Sequence, residues 1–341
     1  GYSGDASGSG TSGSITMNSP KAVTFNWKTQ YYLTVNTNPA EVLSLNPAAV
    51  STQGWYDSGP TATVNAVQNV DKVAGSSRYD FRSWTGATPT GSGNQASVLM
   101  DGPKTATANY QLQYKITFTQ SGVGSDFTGT VVTIDGTNYG LSVLPTSFWW
   151  DGTSTHSFAF SSPLVVTANA KKYLWTGATG LSTAQSGSIA VSGSGSVTGN
   201  YKTQYQLTMQ VNPVGSGSTS PAVGTYWYDA GAPVNITAVP ASGWVFWSWT
   251  AAGTGSYTGS SNPANIVMNG PISETVTFAT LFTVGTTTTT SVTSTISTSS
   301  SISTYQRSNT TTTATIPSTS YQTATTTRYS GATSTTYTTR T

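Results

Sequence analysis

Few side chains in this sequence could do acid–base or nucleophilic chemistry. The 341 residues include one His and no Cys, and only 7% are Asp, Glu, Lys or Arg, against roughly 25% in an ordinary soluble domain. Zinc sites of Cys and His, Cys nucleophiles and His-based triads are therefore mostly excluded. His156 lies in an alternating segment without a neighbouring acid to complete a relay. We predict neither catalytic residues nor a cofactor, and hence no enzyme.

An Asp recurs in three Trp-rich turns, as Asp57, Asp151 and Asp229. A hard cation such as Ca²⁺ needs several converging oxygen ligands. Each of these Asp residues lies close to a Gly and has no second acid nearby. We therefore predict no metal site and expect each carboxylate to cap its own turn.

The charge balance also limits the classes of partner. Through residue 283 there are 10 basic and 11 acidic side chains, and the rest of the chain adds only Arg307, Arg328 and Arg340. Nucleic-acid binders concentrate Lys and Arg on one face, so we predict no nucleic-acid partner. No stretch is long and apolar enough for a transmembrane helix.

Aromatic residues are the remaining candidates for binding. The ten Trp and 18 Tyr could form a platform on which sugar rings stack, but most recur at fixed repeat positions and are better explained as core. Trp247 differs because its counterpart in an earlier repeat is Arg82. A position that tolerates a charge is expected to face outward, so Trp247 is a candidate interface or ligand residue.

The elements that would position these residues come from an internal repeat. One junction recurs three times, as residues 26–31, 109–114 and 200–205, each ending Gln-Tyr. We call these junctions seams. Apolar and polar residues alternate through the second and third seams, which indicates that the last strand of one repeat continues into the next. Such seams, without a Gly/Ser linker, predict an elongated, stiff rod.

The seams divide the chain into five parts. They are a partial repeat over residues 1–30, three β repeats over 31–113, 114–204 and 205–283, and a Ser/Thr-rich segment over 284–341. The second repeat carries an additional hairpin-like stretch between Thr130 and Leu144. We predict an all-β chain of small β-sandwich or β-grasp-like modules, ending in a stalk or tail.

Residues 1–30 match only the back part of a repeat, since Gly1 aligns with Ala252. Two strands are expected there, Ser14–Met17 and Ala22–Trp27, and bare strand edges invite pairing. Three explanations remain open: the front of the module lies outside the recorded chain, the strands pack back on the first repeat, or they are donated to a neighbouring subunit. In the last case Val23, Phe25 and Trp27 would present the inserted apolar face.

The turn and aromatic motifs resemble the divergent internalin-type B repeats of prokaryotic surface proteins. They are Asn-Pro after the first strand (Asn38-Pro39, Asn212-Pro213), Trp-Tyr-Asp-x-Gly, the aromatic cluster before Trp84-Thr85 and Trp249-Thr250, and Met-Asp/Asn-Gly-Pro. The region around Trp175 and the Ser/Thr-rich end resemble archaeal cell-surface, surface-layer and filament proteins in particular. The resemblance implies a secreted, often glycosylated, non-catalytic module.

The expected function is a structural subunit of an extracellular surface assembly, such as a filament, a surface layer or a stalk. Its partners would be copies of itself, other surface proteins and attached glycans, with Asn235 and Asn309 as candidate N-glycosylation sites. Two alternatives stay open: an adhesive or carbohydrate-binding module, and an accessory region of a larger secreted enzyme.

Overall fold

The computed structural model describes residues 1–91 and 93–281, and the backbone of three further strands. Alternating Thr, Val, Ile and aromatic residues, interrupted by Gly and Pro turns, leave almost no helix. The predicted all-β class is confirmed. The residues group into two compact units: Gly1–Ser121, Gly129–Ser161 and Gly177–Asn200 form unit 1, and Gly122–Thr128, Ser162–Thr176 and Tyr201–Thr341 form unit 2.

The N-terminal segment and the first repeat lie in unit 1. Their elements are β1 (Tyr2–Gly4), β2 (Val23–Phe25), β3 (Gln30–Asn38), α1 (Glu41–Leu45), β4 (Gly54–Asp57), β5 (Thr61–Asn65), β6 (Asn69–Val73), β7 (Ser77–Thr85), β8 (Thr88–Pro89), β9 (Gln95–Leu99) and β10 (Lys104–Ser121). One sheet has the order β4-β3-β10-β7-β6, with β3 and β10 parallel, and a second has the order β5-β9-β8. Their facing sides form one buried cluster that includes Leu33, Val64, Val98 and Ala106.

The second repeat uses the same arrangement. Its elements are β11 (Thr130–Ile134), β12 (Thr137–Gly140), a 3₁₀ turn (Leu141–Val143), β13 (Thr146–Asp151), β14 (Thr155–Phe160), β15 (Leu164–Thr167), β16 (Lys171–Gly180), β17 (Ser186–Ala190) and β18 (Gly195–Asn212). The start of β18 is parallel to β10, and β12-β11-β14-β17 forms the second sheet. The predicted extra hairpin is β11–β12, and Asp135-Gly136 turns it at positive φ.

The third repeat lies in unit 2 and comprises, after β18, β19 (Gly217–Ser220), β20 (Gly224–Asp229), β21 (Pro233–Pro240), β22 (Trp244–Ala252), β23 (Ala264–Val267) and β24 (Ile272–Thr280). Strands β18 and β24 are parallel, and the β19-β21-β23 sheet contributes to the same core, which includes Leu207, Ile236, Trp249 and Val276. Each repeat is thus a small sandwich with parallel first and last strands at the centre of one sheet.

Strands β10 and β18 run through Gln113-Tyr114 and Gln204-Tyr205, so the predicted strand continuity at the second and third seams is confirmed. The repeat boundaries themselves stay a prediction. Most of the Ser/Thr-rich segment lies outside the described residues. Its described backbone comprises β25 (Asn309–Thr312), β26 (Tyr321–Tyr329) and β27 (Ala332–Arg340), which form an antiparallel three-stranded sheet.

The strands expected in residues 1–30 are partly wrong. Ser14–Met17 forms no strand, and Ala22–Trp27 is reduced to Val23–Phe25. The expected second strand is replaced by Tyr2–Gly4, which pairs antiparallel with Val23–Phe25. The alternating pattern alone could not exclude this partner, because a three-residue pairing needs little sequence signal.

Candidate binding surfaces

Each seam is held by an Asp of the Trp-rich turn. At the first seam, Gln30 Nε2 donates to Asp57 Oδ1 at 3.1 Å and Lys28 Nζ donates to Asp57 Oδ2. At the third seam, Gln204 Nε2 and Lys202 Nζ donate to Asp229 at 2.8 and 2.9 Å. These hydrogen bonds hold the pKa of both carboxyls below the usual range.

The second seam makes the same contact with a different cation. Gln113 Nε2 donates to Asp151 Oδ1 at 2.9 Å. The position of Lys28 and Lys202 is occupied by Gln111, and Arg82 of β7 donates to Asp151 instead. The expectation that these Asp residues cap their own turns is therefore wrong: each carboxylate accepts hydrogen bonds from a neighbouring strand.

Sequence reasoning missed this contact, although the signal was present. A Gln immediately precedes the seam Tyr in every copy and an Asp ends every Trp-rich turn. The two elements are antiparallel neighbours, with Gln30 opposite Asp57, Gln113 opposite Asp151 and Gln204 opposite Asp229. Pairing the two recurring residue types would have predicted the bond.

His156 has an acid partner that the sequence did not reveal. Its Nδ1 lies 2.7 Å from Asp135 Oδ2 and its Nε2 lies 3.0 Å from Ser154 Oγ. Burial alone would raise the pKa of Asp135, but hydrogen bonds from His156 and the Ser157 main-chain amide outweigh it and lower the pKa. The expectation that His156 has no nearby acid is therefore wrong, because Asp135 contacts its imidazole.

The geometry around His156 nevertheless does not activate a nucleophile. The Ser154 hydroxyl donates to the main-chain oxygen of Asp151 at 2.5 Å, so its proton is directed away from the imidazole. The ring of His156 stacks on Trp150, with centroids 3.7 Å apart and planes 5° apart. We interpret the contacts of His156 and Asp135 as structural, because they link the inserted hairpin to β14. Among the described residues, no group of three or more His, Asp or Glu side chains could hold a metal ion.

Trp247 is 43% exposed. The pairing of β22 with β24 shifts register between Phe246 and Ser248, so Trp247 is the extra residue of a β-bulge. Arg82 is skipped in the same way where β7 pairs with β10. The bulge explains why both side chains point outward from the buried cluster.

The candidate glycosylation residue Asn235 is exposed on β21, where its Nδ2 donates to Asn265 Oδ1 at 3.2 Å. The side chain of Asn309 lies outside the described residues. Whether either Asn carries a glycan stays a prediction.

The N-terminal segment and strand β4 carry the most exposed Trp and Phe side chains of the described chain. Trp27 is 87% exposed, Trp55 66% and Phe25 54%. Two grooves adjoin β2 and the residues after it. One is lined by Phe25 and Trp27, and the other by Val23 and Phe25. The residues expected on a donated strand thus lie at a surface.

Comparison with known proteins identifies the type of module. Residues 207–281 match the family model of the divergent InlB B-repeat domain. The matched residues fall within the third repeat. The resemblance drawn from the turn and aromatic motifs is therefore confirmed for this part of the chain. Surface repeat families of this kind are generally non-catalytic, and the family fits an extracellular or cell-surface protein.

One solved structure similar to the chain is that of Streptococcal High Identity Repeats in Tandem (SHIRT) domains 3-4 from a cell surface protein. The identity is 15%, the match covers 50% of this chain and 96% of that chain, and the TM-score is 0.17. No curated protein matches the chain. No helix in the described residues is long and apolar enough to span a membrane.

Proposed function

We propose that this chain is a non-catalytic structural subunit of an extracellular surface assembly, such as a filament, a surface layer or a stalk. The observation that supports this best is how the polar side chains are used. The recurring Asp, Gln and Lys or Arg residues bond across the seams instead of converging on a cleft. A chain whose repeated polar contacts join its modules is suited to carrying load.

Electron microscopy of native surface material, labelled with an antibody against residues 205–281, tests this function. We expect the label to follow filaments, a lattice or stalks at regular spacing. Label confined to dispersed single particles, or to a secreted enzyme fraction, would contradict it. The second outcome would favour the accessory region of a larger enzyme.

A second candidate function is an adhesive or carbohydrate-binding module, and the exposure of Trp247 is the observation that favours it. An aromatic face on a bulge is available to stack on a sugar ring. A glycan array screened with the wild-type chain and the Trp247→Arg variant tests it. Binding that disappears in the variant would support adhesion, and equal signals would remove Trp247 from consideration.

A further inference from the structure

In the second and third repeats, a cation covers the ring of the first Trp of the Trp-rich turn. The guanidinium of Arg78 lies 4.4 Å from the ring centroid of Trp149. The ammonium of Lys172 lies 4.2 Å from the ring centroid of Trp227. Both Trp side chains are half-buried. A cation over an indole face at this distance is an attractive interaction.

The two cations occupy equivalent positions. Arg78 directly precedes Tyr79 and Lys172 directly precedes Tyr173. Two residues before each cation, a main-chain oxygen accepts from the residue after the seam Tyr: Ser76 from Lys115 at 2.9 Å, and Ala170 from Gln206 at 3.0 Å. The same contact is therefore built twice, and each time the preceding repeat supplies the cation.

Trp55 is the equivalent residue of the first repeat, and it lacks this cover. It is 66% exposed, and its ring contacts Tyr32 edge-on at a centroid distance of 5.3 Å. Within the described part of the chain, no Lys or Arg lies over its face. The other half of the first seam is nevertheless formed, because Asp57 accepts from Gln30 and Lys28.

Trp27, which lies in the first seam, is also uncovered. Its equivalents are Tyr110 and Tyr201, which are each 7% exposed, whereas Trp27 is 87% exposed. In the first repeat, Tyr110 lies opposite Phe81 of β7, the strand that also carries Arg78. One β7-like strand in the same place would therefore cover both Trp27 and Trp55.

We propose that Trp27 and Trp55 form a docking site for the front half of another repeat of this type, whose β7-like strand carries Arg or Lys at the position of Arg78. The cation would lie on the face of Trp55, and the rest of the strand would cover Trp27. This interface would continue the pattern of the two internal seams. The proposal concerns the occupant of this surface and is independent of which surface assembly the chain serves.

The third repeat of a second copy does not fit this site, because it has no cation at the position of Arg78. Gly243 precedes Trp244 where Arg78 precedes Tyr79. A third repeat docked in this way would leave the face of Trp55 without a cation. The first and second repeats have the required residue, so a front half of their kind is the matching partner.

Grafting a front half onto the full chain tests the proposal. Residues 31–86 are placed directly before Gly1, which completes a module in the observed alignment. The chain is labelled with 5-fluorotryptophan, and Trp27→Phe and Trp55→Phe variants assign the two resonances. We expect the response of both resonances to a soluble paramagnetic agent to fall several-fold. If both remain as accessible as in the ungrafted chain, the proposal is wrong.

Three matched grafts separate the cation from the rest of the strand. Arg78→Ala in the grafted copy should leave Trp27 covered and Trp55 accessible. Residues 205–251, which carry Gly243, should do the same, and Gly243→Arg in that graft should cover Trp55. Equal protection of Trp55 with and without the cation would overturn the proposed role of the charge.

A last variant does not depend on folding of the graft. Arg78→Ala in the otherwise unmodified chain should raise the accessibility of Trp149 towards that of Trp55, and Arg78→Lys should restore its cover. An unchanged Trp149 in the Ala variant would show that the cation does not shield this ring, and the proposal would fail at its premise.

Discussion

Glu274 has the most unfavourable environment of any acid in the described residues. Its side chain lies in the core of the third repeat, where the first repeat has Ala106. Oε1 accepts a hydrogen bond from the main-chain amide of Tyr257 at 2.8 Å, and Oε2 has no partner. Burial raises the pKa of Glu274 to about 7, although the amide of Tyr257 opposes the rise. The carboxyl is therefore neutral in the folded repeat at mildly acidic pH.

This pKa predicts how the stability of the third repeat depends on pH. In the unfolded chain the carboxyl releases its proton near pH 4.3, but the folded repeat retains it to about pH 7. Unfolding therefore releases a proton between these values, and stability falls as pH rises through this window. By calorimetry, we expect the transition of the third repeat to lose on the order of 2 kcal/mol between pH 5 and pH 8.

The variant Glu274→Gln should remove this dependence and be more stable than the wild type at pH 8. Asp101→Asn is the matched control, because Asp101 is exposed and its hydrogen bond from Lys104 lowers its pKa. The control should keep the wild-type slope between pH 5 and pH 8. A wild-type third repeat equally stable at both pH values would contradict the buried, neutral carboxyl.

The bulge in β22 places two nearby Trp residues in opposite environments. Trp247 is the extra, outward residue, while Trp249 is fully buried and faces Val276 of β24. The first repeat has Arg82 at the bulge and Trp84 at the buried position. Replacing the Trp by a charged residue should therefore be tolerated at the bulge position, Trp247, but not at the buried position, Trp249.

We expect Trp247→Arg to change the free energy of unfolding by less than about 0.5 kcal/mol, since Trp247 is exposed at the bulge and the first repeat has Arg82 there. Trp249→Ala should cost about 3–5 kcal/mol because it leaves a cavity. Urea denaturation followed by fluorescence and circular dichroism measures both. Comparable losses from the two substitutions would show that Trp247 contributes to the core.

The strands were predictable where short-range chemistry specifies them. Alternation predicted the continuous seam strands, and Asp135-Gly136 predicted the inserted hairpin. Contacts between strands were harder to predict from the sequence, because the register of strand pairing is set by long-range packing. Asp135 and His156 are 21 residues apart and meet only through the pairing of β11 with β14. The bulge at Trp247 has no local signal, although comparison with Arg82 predicted its outward direction.

At the scale of the whole molecule, we propose that the seams between repeats are stiff. The second and third seams combine a strand continued between modules with an Asp–Gln–cation contact, and the first seam has the Asp–Gln–cation contact. The second and third add a cation on a Trp face. A hinge at such a seam would have to break main-chain and side-chain contacts together.

Small-angle X-ray scattering from residues 31–281 measures this stiffness most directly. We expect the distance distribution of an elongated rod and a dimensionless Kratky profile that returns to the baseline. The double variant Asp151→Asn, Asp229→Asn, which weakens the seam contacts, serves as the comparison and should scatter as a more flexible particle. A compact wild-type particle, or a freely hinged one indistinguishable from the double variant, would contradict stiff seams.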